Sequence, residues 1–125
     1  MKRFSDKYIL TGNMEWEELG GGVSRKMLGY DNQIMMVQVK FEKGAVGSPH
    51  HHFHTQTTYC AHGKFEFEID GVKQVVSAGD GVYIQPNLLH SAVCLEEGIL
   101  IDVFSPVRED FLDGSGVSYF GNQED

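Results

Sequence analysis

A chain of 125 residues is the length of one domain and can bury roughly two-thirds of its unfolded surface around a single core. Its 41% hydrophobic and 22% charged residues are ordinary for a globular protein, which excludes a disordered chain, and no apolar run is long enough to span a bilayer. A net charge of −8 excludes the basic face that nucleic acid requires, and any bound anion has to be held by local cations or a metal.

Taken in chain order, residues 1–22 form an N-terminal arm. No apolar segment follows Met1-Lys2-Arg3-Phe4-Ser5-Asp6, so no secretion signal is expected and a cytoplasmic location is. Met14–Leu19 is either one helical turn or an edge segment, and Gly20-Gly21-Gly22 ends it. A barrel is expected over 23–112, with strands at Val23–Tyr30, Ile34–Glu42, Thr57–Ala61, Lys64–Ile69, Lys73–Ser77, Val82–Ile84, Ser91–Leu95 and Ile99–Ser105. Asp70-Gly71 signals a two-residue hairpin, and Gly79-Asp80-Gly81, Pro86-Asn87 and Glu96-Glu97-Gly98 mark three further turns. Fifteen glycines suit many short strands joined by tight turns. Such strands without intervening helices imply an all-β antiparallel sandwich or barrel. Residues 106–125 lack strand periodicity, and 113–125 are expected to be a frayed polar tail. Cys60 and Cys94 lie far apart in apolar runs without CxxC spacing, which fits two buried free thiols in a reducing compartment.

The chemistry concentrates in Pro49-His50-His51-His52-Phe53-His54-Thr55-Gln56. On an extended segment His50, His52, His54 and Gln56 share one face, and imidazoles at i and i+2 can chelate one metal. A solvated polar strand would carry the same residues, so the cluster alone does not say which of them bind. Spacing says more: Gly44, His50, His52, Gln56 and Gly63 form G-x5-H-x-H-x3-Q-x6-G, which resembles the first cupin motif with Gln56 in place of the usual Glu. Gly79-Asp80-Gly81-Val82-Tyr83-Ile84-Gln85-Pro86-Asn87-Leu88-Leu89-His90 resembles the second, departing at Gln85 for Pro, Asn87 for Gly and, further on, Cys94 for Asn. The resemblance implies a double-stranded β-helix (a jelly-roll barrel), commonly dimeric, with one divalent metal on His50, His52, Gln56 and His90. Nickel, zinc, iron and manganese all accept such ligands, so the residues do not choose among them. Four neutral ligands leave the cation its full charge, which favours Lewis-acid chemistry on an anionic substrate over ferrous oxygenase chemistry, where two His and a carboxylate are usual.

A second anomaly is Gly98-Ile99-Leu100-Ile101-Asp102-Val103-Phe104, apolar but for one acid. Alternation sets Leu100, Asp102 and Phe104 on one face. If that face is the interior, Asp102 is either a structural partner of a cation or a general acid/base beside the metal, with Phe104 shaping the pocket. Arg108 suits a two-pronged contact with a substrate carboxylate, or a surface ion pair with Glu109 or Asp110.

The run from Leu100 to Leu112, with Leu28-Gly29-Tyr30-Asp31, Met35–Val39, Phe41-Glu42-Lys43-Gly44 and Gly63–Phe67, is similar to the pectin-degradation KdgF family. That family of small cupins turns 4,5-unsaturated monouronates, left by pectate or alginate lyases, into linear keto sugars. By position the resemblance implies metal ligation by His50, His52, Gln56 and His90, acid/base chemistry by Asp102, a pocket wall at Phe104 and substrate binding by Arg108. The expected partners are a small anionic sugar and a second copy of the chain, with neither nucleic acid nor membrane. The alternatives are another metal-dependent cupin enzyme, such as an isomerase, epimerase or dioxygenase, and a non-catalytic sugar-acid-binding cupin. His54 and His62 are expected to be strand or turn residues, Met27, Met35 and Met36 core filler, and Arg25 and Lys26 either aids to carboxylate binding or a solvated strand end.

Overall fold

The computed structural model describes residues 4–113. A short 3-10 turn at Thr11–Asn13 precedes strands β1 (Glu17–Gly20), β2 (Val23–Tyr30), β3 (Met35–Phe41), β4 (Val46–His50), β5 (Thr55–Ile69), β6 (Val72–Ser77), β7 (Gly81–Ile84) and β8 (His90–Ser105), and the helix α1 (Glu109–Asp113) follows. Every pairing among the described strands is antiparallel, in the order β1-β2-β3-β8-β5-β6, with β4 on β8 and β7 on β5. This is the expected all-β barrel. The expected tail lies outside the described residues beyond Asp113.

The long strands β5 and β8 run side by side and each serves both halves of the barrel. The first half of β8 pairs with β4 and its second half with β3. Likewise β5 pairs with β7 through Gln56–Tyr59 and with β6 through Lys64–Ile69. The bend between halves is a close crossing of two glycines. Gly63 has φ +88, and a Cβ there would lie 2.6 Å from the Gly98 Cα and 2.7 Å from the Glu96 carbonyl oxygen, so only glycine fits. Glu96-Glu97-Gly98 is therefore not the chain reversal expected but part of this bend, and the strand pairs expected at 57–61/64–69 and 91–95/99–105 are each one continuous strand. The register slips across it. Inward positions on β5 are even before the bend (Gln56, Thr58, Cys60) and odd after it (Phe65, Phe67), which an inserted residue requires.

Elsewhere the sequence pattern carries through. β2 runs Val23–Tyr30 as read, and Asp70 and Gly71 both take positive φ in a two-residue hairpin. Met14–Leu19 resolves towards the edge segment, since β1 pairs with β2 from Glu17. Met35, Val37, Val39 and Phe41 alternate inward on β3 and meet Phe65, Cys60, Cys94 and Leu100 in the core, with Phe41 and Phe65 edge to face at 5.1 Å. Both cysteines are free and buried. Among the described residues no helix is long and apolar enough to cross a membrane.

Candidate metal centre

The histidines converge at one end of the barrel, though not by strand alternation. His50 closes β4, His52 lies in the connecting loop and Gln56 is the second residue of β5, so 50–56 is a turn and not the single extended segment expected. His90 opens β8 directly opposite His50 in the antiparallel register. Ring centroids lie 4.3 Å apart for His50–His90 and 5.0 Å for His52–His90, and one ligand atom from each of the three rings falls within 4.8 Å of the others.

Each ring is oriented by a backbone carbonyl two residues away. Nδ1 of His50 donates to Ser48 O at 2.7 Å, that of His90 to Leu88 O at 2.9 Å and that of His52 to His54 O at 3.1 Å. A carbonyl only accepts, so the neutral rings turn their Nε2 lone pairs inward. The Asn87 N–H in turn donates to His52 O at 2.7 Å. Asn87, where the motif usually has Gly, has φ 68, a left-handed conformation that Asn tolerates better than most side chains.

Two observations fit this donor set to a cation. The buried Nε2 of His90 has no hydrogen-bond partner among the described residues. His52 Nε2 faces Gln56 Oε1 at 2.9 Å, two acceptors turned on each other. The amide's orientation follows from its other end: Thr58 Oγ1 spends its proton on Asp102 Oδ1 at 2.7 Å, so it must accept from Gln56 Nε2 at 3.0 Å. A shared cation would satisfy all of these lone pairs. Burial, the largest cause, lowers the pKa of His50, of His52 to about 4 and of His90 to about 3, which keeps the rings neutral and ready to ligate at neutral pH.

Beyond the histidines a pocket of about 410 Å³, counted to its open mouth, is lined by His50, Gln56, His90, Asp102, Phe104 and Arg108 over an apolar floor that includes Phe41, Phe67 and Leu100. Asp102 is 4% exposed, and burial raises its pKa from 3.8 to about 6 against the opposing pull of the Thr58 hydrogen bond and the Arg108 charge. Phe104 is buried, with its ring 5.7 Å from His52 and 5.1 Å from the Arg108 guanidinium carbon. Arg108 does pair with Asp110, at 3.0 and 2.7 Å, but not at the surface: it is 4% exposed and lines the pocket.

Three residues gain roles that the sequence pattern did not carry. Thr58 links Gln56 to Asp102, and an alternating β-strand offered no sign of it. His54 lies outside the cluster of three rings: buried, it presents its carbonyl to His52 and sets Nε2 3.2 Å from Val107 O, tying the histidine loop to the segment before Arg108. Arg25 is neither solvated nor at the pocket; it is 7% exposed and packed against Phe111.

The chain matches the cupin domain family over residues 37–104. It is 46% identical over 108 residues to the pectin degradation protein KdgF of Dickeya dadantii (strain 3937), covering 85% of this chain and 98% of that protein. Among solved structures it is similar to an RmlC-like cupin from Shewanella frigidimarina NCIMB 400 (TM-score 0.85, 44% identity, 87% of this chain and 98% of that one). It is also similar to KdgF from Halomonas sp. (TM-score 0.82, 37% identity, 86% of this chain and 99% of that one). With its two motifs, its barrel and its histidine cluster in place, this chain belongs to the cupin superfamily and, within it, to the KdgF family.

Proposed function

We propose that this protein opens the ring of 4,5-unsaturated monouronates released by pectate or alginate lyases, giving linear keto-deoxyuronates. The observation that carries the reading is a buried carboxyl, Asp102, in one pocket with inward-facing imidazoles and a guanidinium. The substrate is an enol ether conjugated to a carboxylate, and the product is its isomer. The C1 hydroxyl proton leaves, the bond from C1 to the ring oxygen breaks, an aldehyde forms at C1, and the resulting enol gains a proton at C4 to become a ketone. Asp102, whose pKa burial raises to about 6, donates that proton from its protonated form and is recharged by the one released.

Arg108 holds the substrate carboxylate. Asp110 occupies its Nε–Nη2 edge, so the Nη1–Nη2 edge is the fork a ligand would meet. Phe104 supplies an apolar wall against the ring. His50, His52, Gln56 and His90 would hold one divalent cation, nickel, zinc, iron or manganese, which when bound supplies Lewis-acid polarisation of the substrate's oxygens. The neutral amide of Gln56, where a carboxylate would suit iron–oxygen chemistry, favours this reading over a dioxygenase.

The test follows ultraviolet loss of the conjugated enol ether of 4,5-unsaturated galacturonate with metal-loaded wild type and Asp102→Ala. Acceleration by wild type alone is expected. No acceleration by metal-loaded wild type would sink the reading and leave a cupin of another activity, whereas ligand binding without turnover would mark a sugar-acid-binding module. The same reading makes the protein a cytoplasmic homodimer, supported by its free buried thiols and by the exposed apolar Met36, Tyr59 and Tyr83 on the outer sheet face; sedimentation tests the dimer.

A further inference from the structure

Arg108 is held from several sides, and one of its supports is remote in sequence. The guanidinium carbons of Arg108 and of Arg25 each lie 4.2 Å from the centre of the Phe111 ring. Phe111 is 7% exposed and stands edge to face with Phe104 at 5.6 Å. Arg25 comes from β2 and its Nε donates to Glu17 Oε1 on β1 at 2.9 Å, while Arg108 is clamped by Asp110 on α1. Two like charges thus lie against one aromatic ring, each paired with an acid, Arg25 with Glu17 and Arg108 with Asp110. A buried guanidinium is costly unless paired, and a long side chain without a stack has many rotamers to lose when it binds.

We propose that Phe111 and Arg25 are positioning residues for Arg108: the pair on α1 and β2 locks the guanidinium so that its Nη1–Nη2 edge meets the substrate carboxylate. The N-terminal edge strand therefore contributes to ligand affinity through Glu17 and Arg25, although neither lines the pocket. The inference rests on the reading of Arg108 as the carboxylate-binding residue. It deepens that reading by tracing what holds the arginine still. Stacking of this kind supports binding of substrate and not proton transfer, so its loss falls on KM.

The experiment compares full-length, metal-loaded wild type, Phe111→Leu, Phe111→Tyr, Arg25→Lys and Arg108→Ala on 4,5-unsaturated galacturonate, with nickel affinity and thermal midpoint measured for each. Phe111→Leu is expected to raise KM about fivefold with kcat within about twofold and nickel affinity unchanged, and Phe111→Tyr to restore KM. Arg25→Lys, which keeps the charge and loses the flat stack, is expected to raise KM about threefold and covers the case in which Phe111→Leu does not fold. An unchanged KM in folded Phe111→Leu or Arg25→Lys, beside a raised KM in Arg108→Ala, overturns this inference and spares the reading of Arg108. A joint loss of kcat and nickel affinity in Phe111→Leu assigns the ring a merely structural role and also overturns it. An unchanged KM in Arg108→Ala overturns the reading of Arg108 and the inference together.

Discussion

The histidine rim and the acid–arginine wall of the same pocket are built in opposite ways. Each ring at the rim takes its orientation from a carbonyl two residues away, at Ser48, His54 and Leu88. Asp102 instead receives its hydrogen bond from Thr58, 44 residues distant, and Arg108, beside its local clamp on Asp110, shares Phe111 with Arg25 from the far end of the chain. Local support survives as a spacing motif. Remote support leaves only isolated residues that the fold later brings together.

The sharpest way to break this contrast is to delete one member of each region. His90→Ala is expected to lower metal affinity by at least about 100-fold and turnover to background, since it removes a ligand whose Nε2 is already aimed into the cluster. Metal titration with turnover checks it. Asp102→Asn is expected to cut turnover by about 100-fold or more with metal affinity retained. Loss of metal in that variant would mean that the two regions are one unit. Thr58→Val sharpens the wall's dependence on a remote donor. It is expected to lower turnover about tenfold and, because the lost bond had opposed the raised pKa of Asp102, to move the alkaline limb of the pH–rate profile upward.

Two smaller effects concern pH. In the metal-free protein Asp102 has a folded pKa of about 6 against 3.8, so its stability contribution is present in acid and lost as pH rises through about 6. Asp102→Asn is therefore expected to match wild type below pH 4 and to exceed it by about 2 to 3 kcal/mol at pH 8, measured by urea unfolding. The rim has the opposite sign. His52 and His90 have folded pKa values lowered to about 4 and about 3 from 6.5, so their contribution is present above pH 6.5 and lost as pH falls towards those values. Nickel binding is accordingly expected to hold to about pH 5, where a solvated histidine cluster would already have lost it.

Strand positions were readable because successive residues alternate between faces: Met35, Val37, Val39 and Phe41 on β3, and Leu100, Asp102 and Phe104 on β8, share a face by their spacing, and the fold turns that face inward. The gathering of His50, His52 and His90 was readable because two motifs at the right separation constrain them jointly, even with Asn87 and Cys94 departing from the pattern. The course of 50–56 was not. Alternation treats every polar segment as extended, whereas the carbonyls that orient these rings require β4 to end at His50 and the chain to turn. Nor was the continuity of β5 and β8 readable, because Gly63 and Glu96-Glu97-Gly98 look like turns until the close crossing of the two strands is seen.

The amino-acid sequence by itself determined the barrel class, the alternation of β3 and of the second half of β8, and the histidines His50, His52 and His90 that gather at one end of the barrel, since these depend on periodicity and motif spacing. Tertiary structure alone decided that Thr58 serves Asp102, that His54 ties the histidine loop to Val107, and that Arg25 reaches the pocket's arginine through Phe111. Those contacts join residues tens of positions apart, and burial, which sets both the proton affinity of Asp102 and the neutrality of the histidines, exists only once the chain has closed around them.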